Sequence, residues 1–348
     1  MYNLNRSIVT DSSDGNFSIL PSLSYNVDPR CNMRCEYCPP FYENYEQVSG
    51  RLPRELAKSF FIAAAKCSFI TFRLSGGEPL LNPDHVLELS EIVRDLGTKG
   101  AHVRLNTNGV FLAQHAESLR TSGVNVVKVS LDTLDSNRFK EMTGSSKFAD
   151  VLRGIEVAHG LGLHVELNMV YTRKNADDFW PLLAYCLQND IPGLKVLDLV
   201  EYDEPSYWAA YYLSPEALIE ELSKRYSRVE RTALSGGRGV RMLEFQVGPN
   251  TVVLVKDCRQ GTTYSRTFCD GCQLYPCQEG FYNLTLNSDG KLKPCRLIND
   301  KFVDIQELII GAGDPVAVFS DLIRSMLEQH YSEVFFSRGW HRVKGSEK

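Results

Sequence analysis

Leu23-Ser-Tyr-Asn-Val27-Asp-Pro-Arg-Cys31-Asn-Met-Arg-Cys35-Glu-Tyr-Cys38 is the stretch from which the architecture is read. Residues 23–27 alternate apolar and polar side chains, the period of a strand with one buried face. A C-x3-C-x2-C run follows directly, so three thiolates share one loop at a strand end. Such a loop can ligate three irons of a cubane and leave the fourth iron open. A structural zinc site prefers four protein ligands, which makes a zinc loop the weaker reading of the same spacing.

Outward from this loop, short β-branched runs alternate with helical patterns, as in repeated strand–helix units around a parallel sheet. Strands are predicted over 23–27, 69–74, 101–105, 124–131, 163–170 and 194–200, and helices over 53–66, 83–96, 148–161 and 177–187. Six parallel strands are too few for a closed eight-stranded barrel but enough for an open one. The fold class is therefore α/β, a partial (β/α)6 TIM barrel over 20–203 after an N-terminal segment 1–19. Residues 204–240 read as a linker or helical segment, 241–310 as a cysteine-rich domain and 311–348 as a C-terminal helical segment. The glycine-rich stretch 235–239 follows no strand, so it reads as a loop and not as a phosphate cradle.

The chain has 348 residues, 43% apolar and 23% charged, with a formal net charge of -5. That balance disfavours a nucleic-acid partner. Residues 1–20 carry no signal-peptide run, and no uninterrupted apolar span reaches membrane length, so a cytoplasmic location and no membrane partner are expected. Ten cysteines in a reducing compartment call for metal chemistry more than for disulfides. Three sit in the first loop, and Cys258, Cys269, Cys272, Cys277 and Cys295 crowd near the end.

Four separated motifs carry a family resemblance: the cysteine loop from Asp28 to Pro39, Arg73-Leu-Ser-Gly76-Gly77-Glu78-Pro79-Leu80, Asn106-Thr-Asn108-Gly109, and Val127-Lys-Val-Ser130-Leu-Asp132-Thr-Leu-Asp135. Together they resemble radical S-adenosylmethionine enzymes, and within that superfamily the GTP 3′,8-cyclases of molybdenum-cofactor synthesis. The resemblance implies a [4Fe–4S] cluster on Cys31, Cys35 and Cys38, whose open iron takes the amino and carboxylate groups of S-adenosylmethionine. Reductive cleavage to a 5′-deoxyadenosyl radical and abstraction of a substrate hydrogen would follow, with the electron supplied by a donor such as flavodoxin or ferredoxin. It also implies that Gly76, Gly77 and Glu78 meet the cofactor's amino group, and that Asn106, Ser130, Asn168 and the backbone at Val200 lie near its methionyl or adenosyl parts. Tyr37 can face the adenine or pack in the core. Turn chemistry remains open for Asn106 and a plain tight turn for the two glycines.

Cys269-Asp-Gly-Cys272, Cys277 and Cys295 form a second constellation, in which a hairpin turning at Asn287-Ser-Asp-Gly290 brings the last cysteine back to the pair. It resembles the auxiliary-cluster domains called Twitch and SPASM and implies a second [4Fe–4S] cluster. Zinc stays open for four cysteines, as does Cys258 in place of one of them. Cys67 and Cys186 read as inert thiols.

Departures from the cyclase pattern bear on substrate. An arginine that the family places seven residues before the first cysteine is Ser24 here, and its Arg-x-Arg pair is Asn283-Leu-Thr285. A strand lysine is replaced by Glu166, the tail 342–348 lacks the family's terminal Gly-Gly, and Arg73 persists. Phosphate recognition depends on such cations, so GTP binding in the family's manner is not expected. The expected substrate is a small polar molecule, a nucleoside, sugar or sugar acid, with Arg73 meeting a carboxylate and Glu166 a hydroxyl or amine. Both can equally be structural ion-pair partners. Oxidation, decarboxylation, dehydration and carbon–carbon bond formation are the open reaction types. Modification of a ribosomal peptide and a non-catalytic redox sensor are the competing readings.

Overall fold

The computed structural model describes residues 10–11, 17–18, 22–38, 51–201, 205–231, 242–258, 262–275, 277–298, 300–332 and 334–337. Pro39 of the first motif, the glycine-rich stretch 235–239, the tail 342–348 and most of segment 1–19 lie outside the described residues.

Strand and helix alternate along the first half. The order is β1 (Ser22–Asp28), α1 (Arg54–Lys66), β2 (Thr71–Gly76), α2 (Pro83–Asp95), β3 (His102–Thr107), α3 (Leu112–Ser122), β4 (Val124–Ser130), α4 (Ser136–Thr143), α5 (Phe148–Gly160), β5 (His164–Tyr171), α6 (Phe179–Gln188) and β6 (Gly193–Asp198). Each strand from β1 to β6 pairs in parallel with the next. This is the expected partial α/β barrel, with strand limits within two residues of the sequence reading. The predicted last helix begins later than expected, because a 3-10 turn at Ala176–Asp178 precedes it.

The second half adds α7 (Pro205–Tyr211), α8 (Glu216–Arg225), β7 (Ser227–Arg231), β8 (Met242–Gln246), β9 (Val252–Lys256), β10 (Thr262–Ser265), α9 (Arg266–Cys269), β11 (Asn283–Leu286), β12 (Lys291–Lys293), β13 (Val303–Asp304), α10 (Ile305–Leu308), α11 (Pro315–Met326) and β14 (Val334–Ser337). β9 joins the free edge of β6 in parallel, and β11 joins the free edge of β1 in parallel. The sheet therefore runs β13-β12-β11-β1-β2-β3-β4-β5-β6-β9-β8-β7, with antiparallel hairpins at both ends.

Alternation along the strands separates two environments. In β5, Val165, Leu167 and Met169 are fully buried in the apolar layer, while Glu166 and Asn168 take the other face. α2 opens on Pro83 at its first turn and turns Val86, Leu89 and Val93 inward at helical spacing. α11 returns to cover α1, with the Phe60 and Phe319 rings 5.4 Å apart. A smaller apolar cluster of Phe268, Phe281, Tyr331 and Val334 lies beneath the second cysteine group. Among the described residues no helix is long and apolar enough to cross a membrane.

Candidate functional site

The cysteine loop leaves β1 at Asp28, whose buried carboxylate accepts from the backbone N–H of Arg30 at 3.0 Å and from its guanidinium at 3.0 and 2.9 Å. The end of β2 then presses on the loop backbone. Gly77 N donates to Asp28 O at 2.8 Å and Glu78 N to Arg30 O at 2.7 Å. A Cβ at Gly76 would sit 2.4 Å from Asp28 O, and one at Gly77 only 2.3 Å from Arg30 O. These two glycines are therefore required by the approach of the cysteine loop itself. On its other side the loop is held by Arg34 N to Thr143 O at 2.8 Å and Glu36 N to Met142 O at 3.1 Å, at the end of α4.

The three thiols share this loop within one another's electrostatic reach. Burial pushes the Cys35 thiol well up, reinforced by Asp132, Cys38 and Cys31. Burial also raises Cys31, whose sulfur accepts from Met33 N at 3.4 Å and faces Asn108 Nδ2 at 3.7 Å. Without a metal such thiols keep their protons; iron would deprotonate them. Asn108 also donates to Asn32 Oδ1 at 2.7 Å, tying the end of β3 to the loop.

Glu78 is fully buried and binds three donors: Leu80 N at 2.9 Å, Thr107 Oγ1 at 2.7 Å and Asn108 N at 2.7 Å. Burial, opposed by these donors, raises its carboxyl to about 7. It ties the end of β2 to the end of β3. Tyr37 donates to Asp132 Oδ2 at 2.5 Å, and Asp132 Oδ1 accepts from Val170 N at 2.7 Å, so the ring is anchored between the ends of β4 and β5.

Beyond the loop, lumen-facing residues form staggered layers. Arg73 pairs in register with Ser24 and Arg104, Lys128 with Asn106 and Glu166, and Asn168 with Ser130 and Lys195. Asn106 Oδ1 and Asn168 Oδ1 are buried without a hydrogen-bond partner among the described residues. Ser130 is exposed, and Val200 follows the end of β6. Orphaned amide oxygens on one face of the sheet and three thiols on one loop fit a cluster with a polar, chelating cofactor.

Glu166 sits in a different setting from Arg73. It binds Lys128 Nζ at 2.5 Å and His164 Nε2 at 3.1 Å, and although burial opposes its charge, Lys128, His164 and Arg104 hold its carboxyl well below the usual range. Arg73 reaches Ser24 Oγ at 3.3 Å. Burial first, and then the positive charges of Lys128, Arg73 and Lys256, push the Lys195 ammonium well down, with Glu166 in partial opposition. The positions that depart from the cyclase pattern satisfy each other: Ser22 and Ser24 both donate to Asn283 Oδ1 at 2.9 Å, and Asn283 Nδ2 donates to Thr285 Oγ1 at 2.6 Å.

Cys269, Cys272, Cys277 and Cys295 line one open cavity of about 320 Å³, solvent at its mouth included, with Phe268 and Phe281 in its wall. Cys269 Sγ accepts from Ser265 N at 3.4 Å and Cys277 Sγ from Gly280 N at 3.3 Å. Burial raises Cys269 to about 12 and Cys295 to about 11. Cys258 is buried beside Asp198 and Lys256, away from this lining, and Cys67 and Cys186 stand apart from both groups. Among the described residues no three His, Cys, Asp or Glu side chains are grouped tightly enough to hold a single metal ion.

The sequence reading quoted Asn108, Lys128 and Asp132 within its motifs without giving them a role, and it passed over Arg104, Lys195 and Tyr207. A signal for Arg104 and Lys128 was present: Arg73-x-Ser75, Arg104-x-Asn106, Lys128-x-Ser130 and Glu166-x-Asn168 each put a charge two residues before a small polar group near a strand end. That spacing aims both side chains into one lumen.

A family model described as the radical SAM superfamily matches residues 25–186. A GTP 3′,8-cyclase of Pelotomaculum thermopropionicum is 30% identical over 318 residues, spanning 89% of this chain and 92% of that one. The GTP 3′,8-cyclase of Desulforamulus reducens is 29% identical over 319 residues, with the same coverage of 89% and 92%. Among solved structures, SuiB of Streptococcus suis bound to S-adenosylmethionine superposes with a TM-score of 0.57 at 16% identity over 88% of this chain, which spans 65% of SuiB's length. Native anSMEcpe with bound AdoMet gives 0.56 at 18% identity over 86% of this chain and 83% of its own. At these identities the two structures speak for the fold.

Proposed function

The chain belongs to the radical SAM superfamily, and from that premise we propose that it abstracts hydrogen from a small, polar, anionic substrate bound in the barrel lumen. Cys31, Cys35 and Cys38 would hold the [4Fe–4S] cluster, and Gly76, Gly77, Glu78, Asn106, Ser130, Asn168 and Val200 would surround S-adenosylmethionine with Tyr37. A cluster and S-adenosylmethionine bound there would supply one-electron reductive chemistry and, through it, the means of removing a hydrogen atom from substrate. The chain's own part is to fix the loop between β2 and α4, to keep water from the lumen and to orient the substrate.

The observation that carries the substrate class is the charge of the lumen. Arg73, Arg104, Lys128 and Lys195 face one another there, and Glu166 answers Lys128. Among the described residues Lys195 has no hydrogen bond or ion pair, and its neighbours' positive charge makes an anion the favourable occupant. A carboxylate or a single phosphate meets that need through Arg73 and Lys195. A triphosphate is less well served, because Ser24, Asn283 and Thr285 use their polar atoms on each other. Glu166, held by Lys128 and His164, serves as a positioning counter-charge.

Residues 241–310 would form a Twitch-like domain holding a second [4Fe–4S] cluster on Cys269, Cys272, Cys277 and Cys295. Four cysteines complete its coordination, which suits electron transfer or a structural role. A flavodoxin- or ferredoxin-type donor would supply electrons in the cytoplasm, for an oxidoreductase or lyase outcome.

Matched probe pairs test the substrate class: a uronic acid against its hexose, and a nucleoside monophosphate against its nucleoside. Stimulation of 5′-deoxyadenosine formation by the anionic member, lost in Lys195→Met, is expected. Stimulation by the neutral members alone would refute the class.

A further inference from the structure

α7 is pinned at the mouth of the barrel by contacts from several directions. Trp208 Nε1 donates to Leu199 O at 3.0 Å, just past β6. Arg173, beyond β5, donates its backbone N–H to Tyr211 O at 2.9 Å and its guanidinium to Ala210 O at 3.2 Å. Lys174 lies 4.8 Å over the Tyr211 ring while its ammonium binds Glu36 of the cysteine loop at 2.7 Å. The helix is thus fixed against the cysteine loop.

Tyr207 is on this helix, its ring 4.6 Å from that of Tyr211. Its hydroxyl is buried and has no hydrogen-bond partner among the described residues. A buried hydroxyl normally finds one, so an orphan on a well-anchored helix calls for a ligand. Which ligand is decided by its place: α7 is held to the cysteine loop through Lys174 and Glu36 and to the ends of β5 and β6 through Arg173 and Trp208, and burial, with the charges of Glu36 and Asp132 in reach, raises this hydroxyl.

We propose that Tyr207 is a cofactor-positioning residue whose hydroxyl hydrogen-bonds S-adenosylmethionine bound over the cysteine loop, and not the substrate. This rests on the cluster and cofactor reading given above. The test compares wild type, Tyr207→Phe and Tyr211→Phe as reconstituted full-length proteins, by equilibrium dialysis with radiolabelled S-adenosylmethionine and by the change it causes in the EPR signal of the reduced cluster. Tyr207→Phe should bind the cofactor about tenfold more weakly, with Tyr211→Phe unchanged. The cofactor-free Tyr207→Phe protein should be no less stable to urea than wild type, since the lost hydroxyl has no partner there, whereas a structural role predicts a loss. Wild-type cofactor affinity in Tyr207→Phe would overturn the assignment alone. A wild type that binds no cofactor would overturn both the assignment and the reading beneath it.

Discussion

Glu78 commits both carboxylate oxygens to Leu80 N, Thr107 Oγ1 and Asn108 N. Its raised carboxyl, about 7 against an ordinary 4.5, keeps a proton when folded over a range in which the unfolded chain has lost it. The folded protein then binds more protons at this group, so the contribution of Glu78 to stability is fully present below about pH 4.5 and is lost as pH rises through about 7. In Glu78→Gln that slope should become shallower, leaving the part that Asp132, raised by burial to about 6, supplies, while stability drops by about 1–3 kcal/mol because the amide NH2 now faces a backbone N–H. Urea midpoints of both metal-free proteins between pH 5 and 8 check this, and an unchanged slope would contradict it. Gly77→Ala forces a Cβ onto Arg30 O, which is backbone and cannot step aside. Iron bound by the N-terminal loop should fall to near zero, read by iron analysis. The motif's residues were legible in the sequence, but their partners were not: the donors to Glu78 come from Leu80, Thr107 and Asn108, and only folding brings those segments together.

At the scale of elements, the six strands β1 to β6 were legible because one face of each is buried and the alternation is strong. β9 and β11 were not legible as barrel strands. Leu284 of β11 lies beside Leu23 of β1, and no local pattern encodes a pairing across that separation. The hairpin turn itself could be read from Asn287-Ser-Asp-Gly290, though its place on the sheet could not. The segment after Cys277 is fastened to the opposite sheet edge by charge: Lys256 binds Asp198 Oδ1 and Glu279 Oε1, each at 3.3 Å, and Gln278 Nε2 donates to Leu199 O at 2.9 Å. Lys256→Met leaves two buried carboxylates without their cation, which should cost about 3–5 kcal/mol. A urea midpoint as high as wild type in that variant would show that the clamp does not hold this segment.

Across the whole molecule, the apolar face of the sheet is closed by helices from both ends of the chain, and the polar face is left for chemistry. Phe319 of α11 is fully buried against Phe60 of α1, so Phe319→Ala should destabilise the protein by about 3–5 kcal/mol in chemical denaturation. Net charge gave no sign of the cationic lumen, because -5 summed over the chain conceals a few inward-facing cations. The account as a whole depends on a cluster held by Cys31, Cys35 and Cys38 that cleaves S-adenosylmethionine. Anaerobic reconstitution tests this most directly, with iron and sulfide counted and 5′-deoxyadenosine assayed after dithionite reduction, in wild type and in Cys31→Ala/Cys35→Ala/Cys38→Ala. About eight irons should fall to about four in the variant, and 5′-deoxyadenosine formation should disappear. Formation of 5′-deoxyadenosine by the triple variant, or none by the reconstituted wild type, would contradict the account.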